Sequence, residues 1–126
     1  MPKRVLSGPG IVAGDLPFSP AIEANGFVFL AGQVGDVPGT PGAVPGGIAA
    51  ETRAMLENVG RLLRAVGLDY GDVVKATVYL KDFDDFAAMN AVYREFFPSE
   101  PPTRATVGVT RLARDFAVEI EVIAAR

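Results

Sequence analysis

The 126-residue chain predicts an α+β domain, two helices packed on one face of a mainly antiparallel sheet. Three observations lead there. Short runs that alternate apolar and polar residues recur along the chain, as strands require. Two longer segments, each set between such runs, instead repeat apolar residues at helical spacing. Residues 101–126 hold two alternating runs around a short polar connection, the pattern of a β-hairpin.

Taken in order, residues 3–6 read as a short first strand, followed by a Gly/Pro-rich loop through Gly14. Residues 18–24 and 27–31 flank Asn25-Gly26, the strongest two-residue hairpin signal. The run Phe27-Val28-Phe29-Leu30-Ala31 is apolar on both faces, so this strand must be covered on both sides. Residues 32–47 are dense in Gly and Pro and read as a loop. Ile48, Thr52, Met55, Val59, Leu62 and Val66 then follow a helical period, with Gly67 as the stop. Residues 73–80 alternate as a strand. Asp82, Asp84 or Asp85 caps a second helix with the stripe Phe86, Met89, Tyr93 and Phe96, which Pro98 ends. The order is β-ββ-α-β-α-ββ, with residues 1–126 forming one domain.

In the C-terminal pair, Ala105, Val107 and Val109 are expected to share a core face with Val118, Ile120 and Val122. The opposite face would carry Arg104 and Thr106 beside Glu119 and Glu121. Phe27, Phe29, Val73, Thr77 and Tyr79 alternate out of phase with the helix-facing set and are too apolar for water. A second copy of the chain covering that face, a homo-oligomer, is therefore expected.

Composition narrows the chemistry. Apolar residues make up 49% of the chain, which excludes disorder. Lys and Arg number 12 against 15 Asp and Glu and are scattered, so no nucleic-acid footprint is present. No apolar run approaches membrane-spanning length and no signal-peptide layout opens the chain, so a cytoplasmic location is expected. With neither His nor Cys, catalytic triads, thiol nucleophiles and ordinary zinc sites are excluded. Chemistry is left to Arg, Glu, Asp, Tyr, Ser, Thr, Lys and the backbone. Capping explains the aspartates near residue 84 better than magnesium does, and no metal or cofactor is expected.

Several stretches carry a resemblance: Leu30-Ala31-Gly32-Gln33-Val34, Gly47-Ile48-Ala49-Ala50-Glu51-Thr52, Glu57-Asn58-Val59 and Gly71-Asp72-Val73-Val74-Lys75. Residues 85–93, Pro102-Thr103-Arg104-Ala105 and residues 118–124 continue it in the same order. With them the chain resembles the reactive intermediate deaminase (Rid) family, also called YjgF or endoribonuclease L-PSP. The resemblance implies a chorismate-mutase-like fold and a homotrimer with ligand clefts between subunits. It also implies hydrolysis of reactive enamines and imines, such as 2-aminoacrylate, to 2-keto acids and ammonia, with a small imino or keto acid as ligand.

On its residues alone, Arg104 reads as half of a structural ion pair. The resemblance makes it the functional arginine, whose fork would hold a substrate carboxylate through two parallel hydrogen bonds. Glu119, first of the Glu-Ile-Glu stretch, would position or deprotonate the attacking water, while Glu121 serves structure. The family also places Phe18, Ala31, Gly32, Phe86 and Thr106 at the substrate. Phe18 stands where active members carry a tyrosine and Ala31 where a serine is common, so two hydroxyls are missing. That points to larger or more apolar imino acids. A non-catalytic, carboxylate-binding trimer is the alternative. Endoribonuclease activity fits poorly with an acidic chain lacking His.

Overall fold

A computed structural model describes residues 2–12 and 14–126; Ala13, within the first expected loop, lies outside them. Six strands, β1 (Arg4–Val5), β2 (Ala21–Ala24), β3 (Phe27–Val34), β4 (Val73–Leu80), β5 (Thr103–Gly108) and β6 (Val118–Ala125), form one sheet in the order β1-β2-β3-β6-β4-β5. Helix α1 (Gly47–Ala65) joins β3 to β4 and α2 (Phe86–Phe96) joins β4 to β5. The β2–β3 hairpin turns on Asn25 and Gly26 at φ 52° and 81°. Both angles are left-handed, as a type I′ turn demands.

The expected C-terminal hairpin does not form. β5 pairs in parallel with β4 at the edge of the sheet, and β6 inserts antiparallel between β3 and β4. The cause is α2: a helix between two adjacent strands returns the chain to the end it started from, so they run parallel. β3 and β4 also run in the same direction, joined by α1 across a one-strand gap. The connection 109–117 is long enough to step over β4, and β6 fills that gap.

Both helices lie on one side of the sheet. There Met55, Leu56, Val59 and Leu63 of α1 and Met89, Val92 and Tyr93 of α2 pack against Val28, Leu30, Ala76, Val78, Leu80, Val118, Ile120, Val122 and Ala124, all buried. The other side is open. Phe27 and Phe29 are 44% and 43% exposed on it, with Thr77 and Tyr79 beside them, as the alternation predicts. Val73 does not belong to that set. A bulge between Val73 and Lys75 shifts the register and turns Val73 into the core. Nor do Ala105 and Val107 belong to the core: they register with Thr77 and Tyr79 and lie exposed.

β3 runs on to Val34, past the expected strand end at residue 31, and its register with β6 shifts between Leu30 and Gln33. The loop that follows is closed on itself, Val44 donating its amide to Gly35 at 2.9 Å. The Asn58 amide of α1 holds its start, donating to the carbonyls of Val34 and Asp36 at 2.8 and 3.0 Å. Among the described residues no helix is long and apolar enough to cross a membrane.

A candidate active site divided between two faces of the sheet

Within β5, Arg104 and Thr106 share a face, and within β6 so do Glu119 and Glu121. The two faces are opposite. Arg104 and Thr106 register with Ala76 and Val78, which are buried under the helices. Glu119 and Glu121 register with Tyr79 and Thr77 on the open side. From its β4 partner Ala76, Arg104 is three residues away along the strand from Glu119's partner Tyr79, and β5 lies two strands from β6. Strand spacings put the two Cα atoms about 14 Å apart, with side chains directed to opposite sides. The expected juxtaposition therefore fails within one protomer, because β4 separates the two strands that sequence reads as neighbours.

On the open side, Glu119 lines a cavity of about 1110 Å³ together with Phe18, Ala31, Gly32, Phe29 and Phe116. Glu119 is half-buried, and that burial pushes its carboxyl above the ordinary glutamate value of 4.5, with the charge of Glu121 adding to the effect. Gly32 sits in the irregular part of β3, directly against this carboxylate. A Cβ there would overlap Glu119 Oε2. Glu121 instead accepts a hydrogen bond from the Tyr79 hydroxyl at 2.7 Å. Phe18 and Ala31 leave the cavity wall without a hydroxyl at either position.

β6 begins where α1 anchors it. The buried Glu51 carboxylate accepts from the amides of Ala117 and Val118 at 2.7 and 3.2 Å, and Gly35 leaves room for that glutamate. Glu51 thus fixes the backbone just before Glu119. Its sequence signals were an acidic residue early in a helix and a place in the family-like stretch at residues 47–52, neither of which points to β6.

On the helix side, Arg104 lines a groove of about 250 Å³ with Asn90, Tyr93, Arg94, Phe97, Pro101 and Pro102. Its guanidinium lies 4.7 Å from the Tyr93 ring centroid and 5.7 Å from that of Phe86. It takes part in none of the ion pairs among the described residues. The Thr106 hydroxyl next to it is buried with no partner. Phe86 belongs to this half and faces Arg104. Asp82 accepts from the Asp84 amide at 2.9 Å and so caps the turn before α2. Among the described residues no group of acidic side chains is placed to hold a metal ion.

A model of the family described as endoribonuclease L-PSP matches residues 12–126. A RutC family protein of Pyrococcus horikoshii is 49% identical over 108 residues, which cover 86% of each chain. A 2-iminobutanoate/2-iminopropanoate deaminase of Capra hircus is 40% identical over 122 residues, covering 97% of this chain and 89% of the relative. Among solved structures, E. coli TdcF with bound serine superposes with a TM-score of 0.87 at 36% identity, covering 98% of both chains. The E. coli YjgF gene product gives 0.88 at 35%, again over 98% of both. Fold, motif order and full-length similarity agree: the chain belongs to the endoribonuclease L-PSP, or Rid/YjgF, family.

Proposed function

We propose that the protein hydrolyses reactive 2-imino acids, and the enamines in equilibrium with them, to 2-keto acids and ammonia. The observation that carries this reading is Arg104, a guanidinium on an edge strand that has no carboxylate partner among the described residues. A planar, bidentate carboxylate is the ligand its fork suits best. Arg104 would hold that group and orient the imine carbon. Glu119 would take a proton from a water as the water's oxygen bonds to that carbon and the carbon–nitrogen π pair moves to nitrogen. Returning the proton to nitrogen gives the carbinolamine, and passing its hydroxyl proton to nitrogen, again through Glu119, lets ammonia leave as the hydroxyl oxygen becomes the carbonyl. A glutamate whose pKa is raised by burial suits this two-way transfer.

Because Arg104 and Glu119 point away from each other in one protomer, the complete site would form between copies. The Arg104 groove of one subunit would face the Glu119 cavity of the next, with the exposed phenylalanines of the open face buried between them. A cyclic homotrimer with three such clefts and a cytosolic location are part of this proposal. The names of the deaminase relatives and the serine bound to TdcF support a small amino-acid-derived ligand.

The test is keto-acid release from imines generated in situ by an amino-acid oxidase or a threonine dehydratase, with Arg104→Ala alongside. Acceleration lost in the variant supports the reading; full activity in Arg104→Ala refutes the site. The lack of hydroxyls at Phe18 and Ala31 favours a second reading, carboxylate binding without turnover. Binding of a 2-keto acid in an assembled protein that accelerates no imine would establish it instead.

A further inference from the structure

Phe86 and Tyr93 stand seven residues apart on α2, two turns along one helix face and about 10 Å from each other. The Arg104 guanidinium lies within cation–π range of both rings, at 5.7 and 4.7 Å from the Phe86 and Tyr93 centroids. Each ring is itself held. Phe83 stacks on Phe86 at 5.1 Å with 15° between planes, and Phe97 tilts onto Tyr93 at 4.8 Å. Tyr93 is 6% exposed, yet its hydroxyl has no hydrogen-bond partner. The ring, rather than the hydroxyl, is therefore what this position supplies. An arginine on a sheet edge would ordinarily sample many rotamers or find a carboxylate. Here aromatic faces take the place of an ion pair, attracting the cation while leaving its N–H donors free.

We propose that Phe86 and Tyr93 are positioning residues that fix Arg104 as a preorganised, uncompensated carboxylate receptor, with Phe83 and Phe97 bracing them. This rests on the reading of Arg104 given above. It changes the role expected for Phe86, from lining the substrate to orienting the side chain that binds it. A carboxylate would replace the cation's tenuous hydration with two hydrogen bonds and displace no internal anion. Loss of either ring would free the guanidinium to move, so the cost should fall on binding and leave the later proton transfers at Glu119 nearly untouched.

The experiment titrates 2-oxobutanoate into the assembled protein by calorimetry and measures KM and kcat for the corresponding imine. The variants are Arg104→Ala, Phe86→Leu, Tyr93→Leu and Tyr93→Phe. The expected result is that Phe86→Leu and Tyr93→Leu each weaken binding and raise KM about tenfold with kcat nearly unchanged. Tyr93→Phe, which keeps the ring, should behave as wild type. Should Tyr93→Leu fail to fold, the half-exposed Phe86 position decides alone. Wild-type affinity in folded Phe86→Leu overturns the proposal, as does a loss in Tyr93→Phe as large as in Tyr93→Leu. Binding abolished by Arg104→Ala but unmoved by the ring variants overturns this inference only. No binding by the wild type overturns the proposed function and this inference with it.

Discussion

Two inactive variants should restore each other's activity. Under the proposed mechanism Arg104→Ala removes the carboxylate receptor and Glu119→Gln removes the proton acceptor, so neither homo-oligomer should turn over imines. If each cleft takes its arginine from one subunit and its glutamate from the next, mixed oligomers rebuild intact clefts. An intact cleft needs its arginine from a Glu119→Gln chain and its glutamate from an Arg104→Ala chain. At equal amounts and free exchange, each condition is met half the time, giving about a quarter of wild-type activity. In a cyclic trimer every mixed species, whichever variant is in excess, holds one intact cleft of its three.

The assay co-expresses the two variants with different affinity tags, purifies through both tags in turn and measures keto-acid release. Tandem-purified trimers should then show about a third of wild-type activity, because homo-oligomers have been removed. Both substitutions are compatible with folding: Arg104 is on an edge strand in no ion pair, and Glu119 sits in a site that already disfavours its charge. A site contained within one protomer would give no recovery at any mixing ratio. Zero activity in verified mixed oligomers of two folded variants would therefore refute the division of the site.

Gly32→Ala should lower kcat/KM on the order of 100-fold while moving Tm little, since the new methyl displaces only the mobile end of Glu119; a normal rate would show that this carboxylate position is not used. Glu121→Gln removes a neighbouring charge that raises the Glu119 pKa, so the acid limb of the kcat/KM profile should shift to lower pH. An unmoved limb would separate Glu119 from that ionisation. Glu23, bonded by Arg4 and Arg126 at 2.9 Å each, has its pKa lowered by them, Arg126 contributing first. Its contribution to stability should be present above the ordinary value of 4.5 and lost as pH falls through the depressed value. The Tm difference between wild type and Glu23→Gln should vanish along the same path. Thr52→Val should stabilise the protein by about 1–3 kcal/mol in urea unfolding, because the Thr52 hydroxyl is fully buried without a partner.

Period and turn chemistry were enough for much of the fold. Asn25-Gly26 specified its hairpin, the stripe from Ile48 to Val66 specified α1, and the stripe from Phe86 to Phe96 specified α2. Alternation also sorted residues correctly inside β5 and β6: Arg104 with Thr106, Glu119 with Glu121. It carries no information about which strand lies beside which. The polar connection at 109–117 satisfied a hairpin pattern, whereas the strand–helix–strand unit ending in β5 is the stronger constraint and sets a parallel neighbour. The bulge at Val73 was hidden for a related reason, since one extra residue reverses the parity on which the reading depends. Phe86 and Tyr93 were legible as a buried stripe. That an edge-strand arginine lies across them depends on the β4–β5 register, which no local pattern encodes.

The misplaced strand has a functional consequence. Had β5 and β6 paired, arginine and glutamate would have met on one face of one chain, and assembly would have been incidental to catalysis. With β4 between them, the arginine turns toward α2 and the glutamate toward the open face. Imine hydrolysis needs both groups at one carbon, so under the proposed mechanism a lone protomer cannot perform it. In the proposed assembly the open face's exposed Phe27 and Phe29 would then serve chemistry as well as association. Substitutions there that prevent assembly, with the protomer still folded, should abolish turnover as completely as Arg104→Ala does.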